Sequence, residues 1–283
     1  MMGPLILSIV IYAISLYMVT SYLISLGYVK LLHTPFIAIP YGYPMTYVLS
    51  ISLIALYALL TLTTLNYSRK LRSIESQISS YISYVAMYLS SSSSLHEALT
   101  LALRDIKGYF KDLLERVVLM IKLGMTVDEA IDNAFKNLEE YRYILRTISI
   151  AEKSGGKAID VLHEASQILS SFTSFIEYRR RIFKQYFYLL VLVVIVYDIS
   201  MVITLLIITS LTSLQSPITS GINAELIYTF MYYISIMISL VSGTSYGKCV
   251  EGRIMGSFMY VLTFLIINFL ALSIVPFILR LKL

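Results

Sequence analysis

The chain has 283 residues, 58% of them apolar, and a mean hydropathy of +0.78, which excludes an ordinary soluble globular protein. Its net charge of +5 is the remainder of 22 basic and 17 acidic side chains spread very unevenly. That excess follows membrane topology and contact with anionic lipid, and it gives little reason to invoke nucleic acid. A single cysteine, Cys249, excludes an internal disulfide.

Residues 4–28 and 45–66 carry no charge, and each is long enough to cross a hydrocarbon core that needs about 20 helical residues. The first has no basic start and no small-residue cleavage site, so it reads as a retained span and not a secretory signal. Three more apolar stretches follow later, at residues 186–214, 227–247 and about 254–279. Between the second and third spans the composition inverts. Residues 69–184 hold 17 of the 22 Lys and Arg and 14 of the 17 Asp and Glu, so this stretch faces water. The expected class is all-α: a polytopic membrane protein with about five transmembrane helices and an inserted cytoplasmic helical bundle. The expected division is 1–66, 67–185 and 186–283.

Basic residues set the orientation, because cytoplasmic segments carry excess Lys and Arg near span ends. Arg69, Lys70 and Arg72 flank one span, and Arg179, Arg180, Arg181 and Lys184 flank the next; these are the candidate interface anchors. With the central stretch inside, the amino terminus is inside and the loop at 30–44 is outside, as is the loop at 213–224, which has no Lys or Arg. The short turn with Lys248 and Arg253 returns to the cytoplasm in agreement with the rule. The tail with Arg280 and Lys282 departs from it, unless the last segment stops short of crossing. Many of the 24 tyrosines, among them Tyr28, Tyr67, Tyr186 and Tyr246, fall near span ends as an interfacial belt.

Within the water-facing stretch the periodicity is helical. Phe110, Leu113, Leu114, Val117, Val118 and Ile121 share a face, as do Tyr141, Ile144, Leu145 and Ile148. So do Val161, Leu162, Ala165, Ile168, Leu169, Phe172, Phe175 and Ile176. A bundle of about six helices is the simplest way to cover these faces. Two segments repeat a start signal 32 residues apart: 92–99 reads SSSLHEAL and 124–131 reads GMTVDEAI. Ser94 with Glu97 and Thr126 with Glu129 are both capping boxes, in which hydroxyl and carboxylate satisfy free amide hydrogens reciprocally. Gly124 lies where the preceding helix can end in a left-handed turn, and serines 90–94 are expected to do the same less sharply.

The segment 151–158, AEKSGGKA, is a third punctuation mark, with Gly155 and Gly156 ending one helix and another beginning near Lys157. From there to Leu214 there is no Gly or Pro, so one helix of roughly 80 Å is expected to run into the third span. Residues 45–106 likewise lack both breakers, with the serine run as the expected interruption. Two stiff connections suit transmission of motion, and they are also simply economical connectors.

These features resemble the type II secretion F domain, the cytoplasmic helical bundle of inner-membrane platform proteins of type II secretion and type IV pilus machines. The resemblance runs from about Tyr81 to Phe172 through the two capping boxes and Glu152-Lys-Ser-Gly-Gly. A second likeness covers 243–256, where Gly247, Lys248, Gly252 and Gly256 form a Gly-Lys-x-x-x-Gly-x-x-x-Gly run similar to the turn of archaeal pilus, archaellum and tight-adherence platforms. The first box carries Ser92 where the second has Gly124, and one F domain is present where many platforms have two. The short form implies pairing with itself or with a second platform protein. The family further implies a cytoplasmic hexameric secretion ATPase docking on the bundle, pilin subunits as cargo, and no cofactor or catalytic residue.

The chemical alternatives fail on particular residues. Gly156-Lys157 imitates a phosphate loop, but Ala151 replaces its first glycine and Ala158 its Ser or Thr. His96-Glu97 and His163-Glu164 begin like zinc-protease helices, with Thr100 and Gln167 where the second histidine belongs. His33 lies across the membrane from both. Asp198, near the middle of the third span, is a functional candidate because an ionised group there costs about 3 kcal/mol. It reads as a neutral acid bonded within the bundle, a contact across an oligomer interface, or a docking point for a translocating helix. An aspartyl protease needs a second intramembrane aspartate, and a proton pathway needs another deep acid or histidine; the spans supply neither. Glu97, Glu129 and Glu152 read as caps and solvated helix ends, or as a face shown to a motor. A transporter and a non-energised scaffold or receptor remain the rival classes.

Overall fold

The computed structural model describes residues 2–33, 38–91, 94–213 and 223–273. The end of the fifth apolar stretch with Arg280 and Lys282, most of the loop before Asn223, and Ser92 lie outside the described residues. The chain divides into two compact units: residues 65–179, and residues 1–64 with 180–283.

Among the described residues, the 65–179 unit has helices as its only regular elements. It takes the end of α2 (Tyr43–Glu75) and the start of α8 (Ala158–Ser213), and between them folds α3 (Ile78–Ser91), α4 (Leu95–Ala102), α5 (Tyr109–Lys122), α6 (Val127–Ala134) and α7 (Glu139–Lys153). Short 3-10 turns follow α4 and α7. Helices of 8 to 15 residues are marginal alone, so the buried faces hold them together. Tyr81, Ile82, Leu99, Phe110, Leu114, Ile131, Phe135, Leu145 and Leu162 form one continuous core. Phe110 is its hub, edge-on to both Tyr81 at 5.9 Å and Phe135 at 6.3 Å. The stripes of α5 and α7 face the core as their spacing requires, with Ile121 and Ile144 only partly buried at its edge.

The stripe of α8 departs from expectation. Leu162 is buried, and Val161, Ala165 and Leu169 pack on the core, whereas Ile168, Phe172 and Phe175 are about 60% exposed. The apolar face is wider than the strip the short helices cover. At 100° per residue, these three side chains sit about a third of a turn round from Leu162.

A second departure lies at the α2–α3 corner. The helix breaks at Ser76 and Gln77, with no Gly or Pro, well before the serine run. The Gln77 amide supplies the reason. Its Nε2 donates to the Lys107 carbonyl at 3.1 Å and its Oε1 accepts from the Lys107 amide at 2.9 Å, while Nε2 also reaches the Ser73 carbonyl at 3.0 Å. A side chain that satisfies a distant backbone unit completely compensates a lost helical turn.

The other unit holds α1 (Met2–Ser25), the first part of α2, the second part of α8, α9 (Ala224–Glu251) and α10 (Phe258–Ser273). Its helices are apolar outside: Leu189, Leu192, Val196, Ile199 and Ile203 on α8 are all exposed. Its interior mixes apolar residues such as Met201, Leu205, Val261 and Leu265 with buried Ser235, Ser239 and Asn268. Among the described residues four helical stretches are long and apolar enough to cross a membrane, at Tyr43–Ser91, Gly155–Leu211, Ala224–Glu251 and Ile254–Ser273. The first helix, α1, is apolar as well and runs 24 residues from Met2 to Ser25 without a charged side chain. The chain is an all-α membrane protein in class.

The expected outer loop contains a small hairpin that the sequence did not announce, β1 (Lys30–His33) paired antiparallel with β2 (Ala38–Tyr41), with Lys30 opposite Tyr41. Two strands alone are marginal. This pair is tied to α9 by Tyr233, whose hydroxyl donates to the Pro40 carbonyl at 2.7 Å, and by the Gly42 amide donating to Thr229 Oγ1 at 3.2 Å.

Replacing Phe110 by Ala is expected to cost about 3–5 kcal/mol, and Thr126→Ala about 1 kcal/mol. Unfolding of the detergent-solubilised chain followed by circular dichroism measures both. Equal losses would deny Phe110 its place at the hub.

Candidate functional site: a buried carboxylate and a close-packed helix hairpin

The cluster around Asp198 is built from three helices. Asp198 on α8 is 2% exposed, and its Oδ1 accepts from Ser235 Oγ of α9 at 2.8 Å. Asn268 of α10 donates through Nδ2 to that same Ser235 Oγ and to Ser239 Oγ at 3.3 Å. Asp198 Oδ2 is buried and has no hydrogen-bond partner. On either side, the Tyr197 hydroxyl donates to the Met231 carbonyl at 3.3 Å, and Ser50 of α2 bonds the Tyr232 hydroxyl.

Sequence reading found Asp198 but not Ser235, Ser239 or Asn268, which look like ordinary small polar residues in apolar helices. The missed signal is their spacing. Ser235, Ser239, Gly243 and Gly247 recur every four residues along α9, and all four are buried. Small residues at this interval let two membrane helices approach closely. A Cβ on Gly243 would stand 2.5 Å from the Val261 Cα, and one on Gly247 would collide with the backbone of Ser257. The stripe therefore presses α9 onto α10 at its glycine end and makes hydrogen bonds at its serine end.

The same geometry explains the glycine-punctuated turn. Gly252 closes α9 in the left-handed region at φ 71°, its amide donating to the Lys248 carbonyl at 2.9 Å. At Gly256 a Cβ would lie 2.6 Å from the Glu251 Cβ. Lys248 and Cys249 are exposed on this turn. Arg180, in the middle of α8, is more than an anchor, since its Nη2 lies 3.5 Å from Glu251 Oε2 and ties α8 to the end of α9. Arg181 and Lys184 are exposed.

The remaining candidates fall in the 65–179 unit, separate from this cluster in the chain's division. Ser94 Oγ accepts from the Glu97 amide at 3.3 Å, which forms the hydroxyl half of the first box. The second box is complete: Thr126 Oγ1 accepts from the Glu129 amide at 3.3 Å, and Glu129 Oε2 accepts from the Thr126 amide at 3.1 Å. Gly124 at φ 92° and Gly155 at φ 58° supply the left-handed turns, while Gly156 sits in open space. Glu97, Glu129 and Glu152 are exposed, as are Arg69, Lys70 and Arg72; Arg179 is half-buried. Lys70 also lies over the Tyr109 ring at 4.9 Å.

Next to Glu129 and Glu152 runs an ion-pair network that sequence reading did not single out. Lys153 reaches Asp128 at 3.1 Å, and Arg146 grips Asp132 through two nitrogens, with Nε at 3.1 Å. The Arg146 guanidinium holds the Asp132 carboxyl below its ordinary range. Likewise Asp105, which accepts the Tyr88 hydroxyl at 3.0 Å, raises that phenol. His96 and His163 lie on different helices, α4 and α8, and the two positions that would complete zinc motifs hold hydrogen-bonded Thr100 and Gln167. Among the described residues no group of three His, Cys, Asp or Glu side chains is placed to hold a metal ion.

Residues 81–209 match the family described as type II secretion system (T2SS), protein F. That match supports the type II secretion F family. The F-domain match begins in α3, covers both helices that open on a Ser-x-x-Glu or Thr-x-x-Glu cap and continues through Asp198 to Thr209 in α8, further than the motifs alone reached. No curated protein matches the chain, and no solved structure does.

Gly247→Val is expected to destabilise the helix hairpin by about 1–3 kcal/mol or more, whereas Gly156→Ala stays within about 0.5 kcal/mol; thermal unfolding in micelles compares them. Asp132 is ionised in the folded state to lower pH than in the unfolded chain. Its contribution is therefore present above about pH 4 and lost as pH falls through the folded value. The melting difference between wild type and Asp132→Asn should accordingly shrink on acidification.

Proposed function

We propose that this chain is the membrane platform of a type IV pilus-like filament assembly or type II-like secretion machine, of the archaeal and tight-adherence kind. In this reading a cytoplasmic hexameric secretion ATPase acts on the 65–179 unit, and the platform passes its cycles on to pilin subunits leaving the bilayer. The platform hydrolyses nothing itself and works as a pair, with itself or with a second platform chain. The amino terminus and the charged unit lie in the cytoplasm, and the chain crosses the membrane five times.

The observation that carries the proposal is α8. It is one helix of 56 residues, about 80 Å long, and it contributes 158–179 to the charged unit and 180–213 to the apolar one. An unbroken helix cannot shorten, so a displacement imposed at one end is delivered at the other. The type II secretion F match over the same helix and the glycine turn at 243–256 support the choice of machine.

Phe183 sits in this helix beyond the ends of the F-bundle helices, and Phe183→Pro removes a backbone donor and clashes with the preceding turn. Filament assembly should be lost while membrane insertion persists; normal filaments would sink the lever. The lone exposed Cys249 gives a test of topology without engineering. A membrane-impermeant maleimide should label it only after cells are opened, and labelling of intact cells would reverse the orientation and remove the motor from reach. Co-purification with a secretion ATPase separates the platform from a non-energised scaffold, and a flux assay in vesicles separates it from a transporter.

A further inference from the structure

The hydrogen bonds around Asp198 run one way. Asn268 gives hydrogens to Ser235 and Ser239, and Ser235 gives its own to Asp198 Oδ1. The chain of donors ends there, with Oδ2 buried and unpartnered on the same carboxyl group. An ionised carboxylate in that position is uncompensated, because residues 185–247 contain no Lys, Arg or His, nor do residues 45–68 or 254–279. A buried charge without a partner is costly, and a group so placed is neutral or the packing around it yields.

Something must therefore neutralise Asp198. A metal ion would need several free oxygen lone pairs facing the carboxylate. Here the hydroxyl oxygens of Ser235 and Ser239 already point at the Asn268 amide hydrogens, and Oδ1 already faces the Ser235 hydrogen. The surroundings present hydrogens to the carboxyl group, and only Oδ2 is left to take a cation. A proton alone needs neither cavity nor further ligands.

We propose that Asp198 is a proton-binding site that governs the seating of α8 on α9 and α10. In the seated form Oδ2 carries the proton, and Oδ1, the carbonyl oxygen of the acid, accepts from Ser235. On release the O–H bond breaks, the proton passes to bulk water, and the carboxylate left behind draws in water and loosens the three-helix contact. The step is a proton equilibrium with no oxidant or reductant, and a single site suffices, so it requires no relay of acids across the membrane. The contact is present in the acid form and weakens as pH rises through the titration of Asp198. Among the described residues, the other titratable groups that feel Asp198 are the phenols of Tyr197 on α8 and Tyr232 on α9, held by Met231 and Ser50, and α10 presents the Asn268 amide.

The test uses the full chain in phosphatidylcholine vesicles, followed by infrared difference spectroscopy from about pH 5 to about pH 9. Wild type should show the carbonyl band of a buried protonated acid that disappears on alkalinisation, and Asp198→Asn should lack it. Ser235→Ala should keep the band and move it to higher frequency, since its carbonyl loses a hydrogen bond. Absence of the band in wild type throughout, or its persistence in Asp198→Asn, overturns the proposal. So does a titration midpoint that shifts when sodium replaces potassium, which would assign the site to a metal ion. Hydrogen–deuterium exchange around Asp198, with Asp198→Asn as the control for base catalysis, should rise on ionisation several-fold in wild type alone. Equal exchange in both chains would overturn the coupling to α8 seating.

Discussion

Every backbone amide in the interior of α8 is spent on the helix itself, from Ala158 to Ser213, and this single run of hydrogen bonding carries the chain from the charged unit into the apolar one. Propensity alone does not explain it. Its middle carries Arg179, Arg180, Arg181 and Lys184, where helix formers with long stems can bury carbon and still reach water. The first part lays Leu162 and Leu169 on the core of the charged unit, and the second shows a girdle of Leu, Val and Ile outward and one carboxyl inward.

In the apolar unit the forces are those of a bilayer, where burying oil against oil gains little and close contact with polar satisfaction gains more. The stripe on α9 uses both within one repeat of four. Glycines at 243 and 247 admit the neighbouring backbone, and serines at 235 and 239 bring hydroxyls to Asn268. The Arg180–Glu251 pair then fixes the far end of α9 to α8. An acid at 198 is tolerable only because this hairpin delivers a donor to it.

The helical class, the capped starts, the glycine stops and the length of α8 were legible in the sequence because each is a local event. A hydroxyl three residues before a carboxylate, or a glycine at a left-handed turn, acts over one turn of helix. What was not legible depended on partners distant in sequence. The break at Gln77 is stabilised by Lys107, the hairpin at 30–41 by Thr229 and Tyr233, and the carboxyl of Asp198 by residues 37 and more positions away. The outer stripe of Ile168, Phe172 and Phe175 misled for the complementary reason. Periodicity reports that a face is apolar, not how wide its neighbours are.

The Gln77 clasp has a consequence for which substitutions this fold can accept. The amide behaves as a stand-in strand, presenting one acceptor and one donor to a single peptide unit of the chain. A carboxylate forfeits the donor and an aliphatic side chain forfeits both, so either replacement at position 77 leaves the Lys107 peptide unit short of a partner. Position 107 is constrained in the opposite sense: its side chain is free to drift, while an imino acid, having no N–H to give, is the one residue type the clasp forbids there.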